Sequence, residues 1–288
     1  MMKNRTFFFT ILFLLLSIIC IHSQEKSRYK CAYEANVVRD TVTHESFGKD
    51  TYIVQINENM TKGFYYVGFY SDSLKNVNKI LHDQMMTKAF TDASENLRQG
   101  ISSPYEKAFS HLIPRQPFNS ILYKDYKKNE MRIVDLIVLV NEFIFTEELE
   151  PQDWTILSDT MTILGYHSQK ATCHYRGRNW IAWFTSEIPL SEGPWKFYGL
   201  PGLITKISDE KDHYGFVLTG FQEIEEPIDT KIPTKAEKTT REKFIKAWRR
   251  ERIGKFGANR TMESAGISRP VVNKNKGGQV RYDYIETE

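Results

Sequence analysis

Residues Gly165 to Ile204 read GYHSQKATCHYRGRNWIAWFTSEIPLSEGPWKFYGLPGLI, and the fold follows from how this stretch is punctuated. Arg176-Gly177-Arg178-Asn179 has turn chemistry and separates a strand-like run around Cys173 from another at Trp180–Thr185. A Pro/Gly loop spans Pro189 to Gly202. β-Branched and aromatic runs then return at Leu203–Ser208 and Tyr214–Glu223, on either side of the polar turn Asp209–Asp212. Adjacent runs joined by short turns make a meander, so the sheet is antiparallel.

Upstream, Tyr29–Ile56 has strand chemistry, and Phe64–Tyr70 is expected to pair with it as a hairpin after Lys62-Gly63. Leu74, Val77, Leu81, Met85 and Met86 recur at helical spacing up to Gly100, and Pro104, Pro114 and Pro117 interrupt the residues after it. Residues 72–117 therefore read as a helical insertion. β character resumes at Asn119, turns at Lys128-Asn129-Glu130, and fills Met131–Phe145 with one or two buried strands. Past Pro233 a basic helix is expected at 239–256, capped by Thr239 or Thr240, with Phe244, Ile245, Trp248, Ile253 and Phe256 as its apolar stripe. A flexible tail is expected at 257–279, then an edge strand at Val280–Ile285. The expected fold class is mainly β: a curved antiparallel sheet, a half-barrel, with added helices, in a single domain over 24–288.

Residues 1–23 read as a signal peptide. Lys3 and Arg5 precede an apolar run from Phe7 to Ile21, shorter than the roughly 20 residues a membrane-spanning helix needs. Cleavage is expected after Ser23, placing the chain in the periplasm or on the outer cell surface and leaving no integral membrane segment. Without Lys3 and Arg5, 37 basic residues face 36 acidic ones, a balance that argues against nucleic acid as partner. Cys31 and Cys173 are the cysteines left, an even count in an oxidising compartment, and are expected to be joined.

The same stretch resembles the GLPGLI family of Bacteroidetes envelope proteins. The resemblance rests on Gly199-Leu200-Pro201-Gly202-Leu203-Ile204, with Lys170-Ala171-Thr172, Gly177-Arg178, Ala182-Trp183, Ile188-Pro189 and Gly193-Pro194 in order before it. Asp153-Trp154 fits the segment that precedes this block. The resemblance implies a signal-bearing periplasmic or surface protein. It brings no established activity and no assigned catalytic residues.

No G-x-S-x-G elbow, H-E-x-x-H pair, P-loop or C-x-x-C occurs, and no catalytic residue or cofactor is expected. Cys173 and His174 are adjacent and in a strand point to opposite faces, so with His167 they make no metal site. Trp180, Trp183, Phe184, Trp195, Phe197 and Tyr198 concentrate aromatic surface. They read either as an ordinary core or as the wall of an apolar cavity. The expected role is non-catalytic: binding or carrying an apolar ligand, or docking on an outer-membrane transporter or other envelope protein. A hydrolase built on His174 or Glu187 ranks last, because nucleophile and base cannot be named together. Lys243, Lys246, Arg249 and their neighbours suit a solvated face, or contact with anionic lipid or an acidic partner. The hexapeptide Gly199–Ile204 is expected to be a structural type II turn, with Leu200 and Leu203 in the core and Gly199 allowing close approach.

Overall fold

The computed structural model describes residues 26–40, 44–101, 104–109, 120–137, 141–230, 236–253 and 285–287. The chain is mainly β, with one open, curved sheet of twelve strands. These are β1 (Lys26–Asp40), β2 (Glu45–Ile56), β3 (Met60–Tyr65), β4 (Ile121–Asp125), β5 (Glu130–Ile137), β6 (Asn141–Glu148), β7 (Thr155–Ile163), β8 (Tyr166–Tyr175), β9 (Arg178–Thr185), β10 (Leu203–Asp209), β11 (Tyr214–Pro227) and β12 (Glu237–Lys238). Among the described residues four helices accompany them: α1 (Tyr66–Val77), α2 (Lys79–Arg98), α3 (Pro104–Phe109) and α4 (Arg241–Ile253). The strand order is β12-β6-β5-β4-β3-β2-β1-β11-β10-β9-β8-β7, antiparallel throughout except for the short β12–β6 pair.

Two meanders meet at the centre. One steps outward from β1 to β6 and the other from β11 back to β7, and the long strands β1 and β11 pair to join them. The chain then has to pass from β6 to β7, ten strand positions apart, through only Leu149–Trp154. A flat sheet would separate those strands by about 48 Å. The connection, fully stretched, spans about 24 Å. The sheet must therefore curl until its two ends approach, and the expected half-barrel curvature is a consequence of this short strap.

The turns at Asn129, Arg176-Gly177 and Asp209–Asp212 are where the sequence puts them, but the β2–β3 turn is at Asn57–Asn59, with Lys62-Gly63 inside β3, and the β7–β8 turn is unforeseen. Arg176 and Gly177 both have positive φ, 53° and 78°, the pattern of a type I′ hairpin turn, and Leu164-Gly165 repeat it between β7 and β8. Asn129 takes φ 53° in the β4–β5 turn, a conformation asparagine tolerates.

Other boundaries differ from expectation. The strand predicted at Phe64–Tyr70 ends at Tyr65, and helix α1 starts at once, because Phe69 folds back onto Phe64 with ring centroids 4.5 Å apart. The Ser/Thr-rich strand β7 is unforeseen. The predicted signal peptide at 1–23 lies outside the described residues. So do 102–103 and 110–117 of the predicted insertion, the predicted tail 257–279 and most of the terminal strand; Ile285 itself sits in a bend. Helix α4 is capped by Thr240, whose Oγ1 accepts from Lys243 N at 3.4 Å.

The hexapeptide turn is tighter than a type II turn. Gly202 N donates to Leu200 O at 2.8 Å, an i→i+2 bond around Pro201, while Leu203 N goes to Ile188 O at 3.0 Å. Leu200 and Leu203 are buried, as expected. Gly202 has φ 152°, and a Cβ there would lie 2.0 Å from Thr185 O. Gly202→Ala should therefore destabilise the protein by about 3 kcal/mol or more in urea unfolding. Gly165→Ala, also at positive φ but with nothing within 4 Å of its Cβ, should cost only about 1 kcal/mol. Equal costs for the two would show that the contact at Gly202 is unimportant.

Candidate functional site

Inside the curled sheet lies the connection between β9 and β10. Proline and glycine keep Ile188–Gly202 out of both helix and strand, yet Glu192 to Tyr198 are all buried. A buried loop must find partners for its backbone. Phe197 N donates to Pro194 O at 3.2 Å, and Gly199 N to Ser191 O at 3.3 Å. The β6–β7 strap supplies further partners. Gln152 Nε2 donates to Lys196 O at 3.3 Å, its Oε1 accepts from Tyr198 N at 3.0 Å, and Trp154 Nε1 donates to Tyr198 O at 2.9 Å. Gly199, at φ 96°, lets the loop pass beneath this strap, where a Cβ would come 3.3 Å from Pro151.

Five of the six aromatic candidates converge on this loop. Trp180 and Phe197 meet edge to face at 4.6 Å, Trp195 and Phe197 at 5.1 Å, and Phe184 and Tyr198 join the same buried cluster. Trp180, Trp195 and Phe197 pack on one another and on Trp154 and Tyr175 rather than standing apart around a space. Trp183 is separate. It points to the other face of β9, half-buried, with the Lys170 ammonium 5.8 Å from its ring centre.

The loop also carries a buried acid that sequence reading missed. Glu192 is paired with Lys124 at 2.9 Å, accepts from Thr61 Oγ1 at 2.5 Å, and accepts from the Tyr126 hydroxyl. Lys124 Nζ also donates to Phe197 O at 2.8 Å, so one ammonium neutralises the acid and serves the loop backbone. Burial drives the Lys124 pKa below its ordinary value, opposed by Glu192. Burial, then Glu192, pushes the Tyr126 hydroxyl up. Three donors already occupy Glu192, and its residue is 5% exposed, so the arrangement is built to hold the loop rather than to meet a substrate. The only signal in the sequence is that Lys124 shares strand parity with Leu122, which marks it as inward-facing.

The other candidates do not assemble. His174 is exposed, its Nδ1 2.8 Å from Asn179 Oδ1 near one end of β8. Glu187 lies past the far end of β9 and accepts from His167 N at 2.7 Å. Roughly 20 Å of strand separates the two, so they form no hydrolytic pair. Cys31 and Cys173 are free thiols, contrary to the expected disulfide. Cys31 is on β1 and Cys173 on β8, with β11, β10 and β9 between them. Burial pushes both thiols up, that of Cys173 to about 12 with Asp153 adding to it. Among the described residues no group of three or more His, Cys, Asp or Glu is placed to hold a metal.

The outward surface of the helical insertion is different in kind. Helix α2 buries only Ala89 and Ala93, against Phe109 of α3. An open groove of about 560 Å³ runs between α2 and α3, lined by Met85, Lys88, Ala89, Asp92, Glu95, Asn96, Lys107 and Ala108. At the α1–α2 corner Val77 and Ile80 are 84% and 74% exposed, with Leu81, Tyr66 and Tyr70 also exposed nearby in the chain. None of the described helices is long and apolar enough to cross a membrane.

Residues 176–206 match a family described as "Protein of unknown function (Porph_ging)". That span runs from the β8–β9 turn into β10, and so covers the buried loop and most of the stretch on which the GLPGLI resemblance rests. No curated protein matches the chain. Among solved structures, PNGF-II in its P21 crystal form aligns with a TM-score of 0.48 and 14% identity, over 76% of this chain and 32% of that one. Its C2 form aligns at 0.46 and 15% identity, over 75% and 31%. This chain thus spans about a third of the length of PNGF-II.

Lys124→Met should cost about 3–5 kcal/mol, because it leaves the Glu192 carboxylate buried without its cation. Adding Glu192→Leu should recover part of that loss, giving a coupling of about 1–3 kcal/mol in a double-mutant cycle. Additive effects would mean that the pair does not hold the loop.

Proposed function

We propose that this chain is an exported envelope protein without a catalytic role, whose curled sheet presents the α1–α3 helical arm to a protein partner. The observation that carries this reading is the exposure of Val77, Ile80 and Leu81 at the α1–α2 corner, with Tyr66 and Tyr70 exposed earlier on α1. Large apolar side chains left exposed together at a helix corner mark interaction sites. The docking reading gains over the carrier reading because Trp180, Trp195 and Phe197, expected to line a ligand cavity, pack edge to face on each other. A catalytic reading gains nothing, since the buried Glu192–Lys124 pair is saturated and His174 and Glu187 lie far apart. Export rests on the signal-like residues 1–23, and the mature chain is taken to start at Gln24.

The test is a photo-reactive amino acid at position 80 in the full-length protein, expressed in its own cells, with position 159 on β7 as control. A discrete protein adduct from position 80, absent from position 159, is expected. The Ile80→Lys protein should lose the partner while its melting temperature stays within about 1 °C, since exposed substitutions rarely change stability. Co-purifying lipid with no protein adduct would return the case to the carrier.

A further inference from the structure

The last described residues, Ile285-Glu286-Thr287, sit in a seat assembled from three distant parts of the chain. Arg176, Gly177 and Arg178 of the β8–β9 turn form one side. Lys196 of the buried loop forms the floor, and Arg241 and Arg249 of α4 form the other side. Ile285 and Glu286 are each 1% exposed.

The contacts divide into two kinds. Main-chain atoms of the tripeptide are read regardless of side chain. Arg178 Nε donates to Ile285 O at 2.9 Å, and Thr287 N donates to Arg176 O at 3.0 Å. Arg249 Nη2 donates to Glu286 O and Thr287 O at 3.3 and 3.2 Å. Side chains are read as well. The Glu286 carboxylate meets Lys196 Nζ at 2.7 Å, pairs with Arg241 Nε, and lies 3.9 Å from Arg176 Nε. Thr287 Oγ1 donates to Gly177 O at 2.9 Å, and Ile285 enters the main apolar core. Backbone bonds for affinity with side-chain pockets for selectivity is how proteins recognise extended peptides.

The seat is held in shape by groups other than its occupant. Glu147 of β6 pairs with Arg176 at 3.2 Å, with Arg241 at 3.3 Å, and with Lys196. Asp209 holds Arg178 at 3.0 Å. If the tripeptide left, Arg176, Lys196 and Arg241 would face Glu147 alone, and the unbalanced cations would favour another carboxylate.

We propose that this seat is a peptide-binding site for an apolar–acidic–hydroxyl segment, occupied in cis by the chain's own Ile285-Glu286-Thr287 and able to take the same segment in trans. It lies apart from the helical arm, and the inference stands whether or not the arm docks a partner.

The test uses the full-length chain carrying Glu286→Lys, which expels the tail by charge and leaves the seat unaltered. The probe is a fluorescent pentapeptide matching Tyr284–Glu288, read by anisotropy. Saturable binding to the variant is expected. It should be at least tenfold weaker to the unsubstituted protein, whose seat is filled, and at least tenfold weaker for a probe with glutamine in place of the central glutamate. Glu286→Gln, a milder release of the tail, should bind the probe with intermediate affinity. Absence of binding to folded variants would overturn the proposal, as would equal binding to the unsubstituted protein. If neither variant folds, the tail is an inseparable part of the core and the proposal fails.

Discussion

The structure depends on one constraint: a short strap must cross from β6, next to one edge of a twelve-stranded sheet, to β7 at the other edge. Leu149–Trp154 cannot reach from β6 to β7 unless the sheet curls, and curling creates an interior that has to be filled. The filling is irregular backbone, the Ile188–Gly202 loop, which in any apolar interior would leave unpaired N–H and C=O groups. Strap and loop answer each other. Gln152 and Trp154, which the strap brings across, are the groups that satisfy Lys196 and Tyr198. The element that forces the curvature also makes its contents tolerable.

Buried charge extends the same logic. Lys124 serves the loop through Phe197 O, and Glu192 on the loop neutralises Lys124, so neither charge is left alone in a medium where an isolated ion is costly. Around Lys196 a second network ties the loop to β6, to α4 and to the chain's last residues. Part of the basic character of α4 is used here: Arg241 and Arg249 bond to the tail, and Lys243 and Lys246 are exposed. These networks give the interior a fixed arrangement that apolar packing alone would specify less sharply.

Much of the meander was legible in the sequence because its turns depend on local chemistry. Arg176-Gly177, Asn129-Glu130 and Asp209–Asp212 announce themselves through residues that tolerate positive φ or accept backbone bonds. What escaped depends on distances across the sheet. Cys31 and Cys173 both read correctly as strand residues, but strand order decides whether two strands touch, and no local pattern encodes that order. β7 was missed because Thr155–Ile163 is exposed on both faces for most of its length and lacks the apolar alternation that marks a half-buried strand. Trp183 and Trp180 looked alike in sequence; only the curl of the sheet makes one face interior and the other surface. Strand parity with Leu122 is the one local hint at Lys124, and its pairing with Glu192 appears only when β4 and the loop come together.

The central claim is that the loop between β9 and β10 is core rather than surface, held by the strap across it. Native-state hydrogen exchange at the Tyr198 amide, which donates to Gln152, tests this most directly. The account predicts that this amide exchanges only with global unfolding, with the same free energy and denaturant dependence as amides of β9 and β10. Exchange at a rate typical of an exposed loop, while β9 and β10 stay protected, would contradict it.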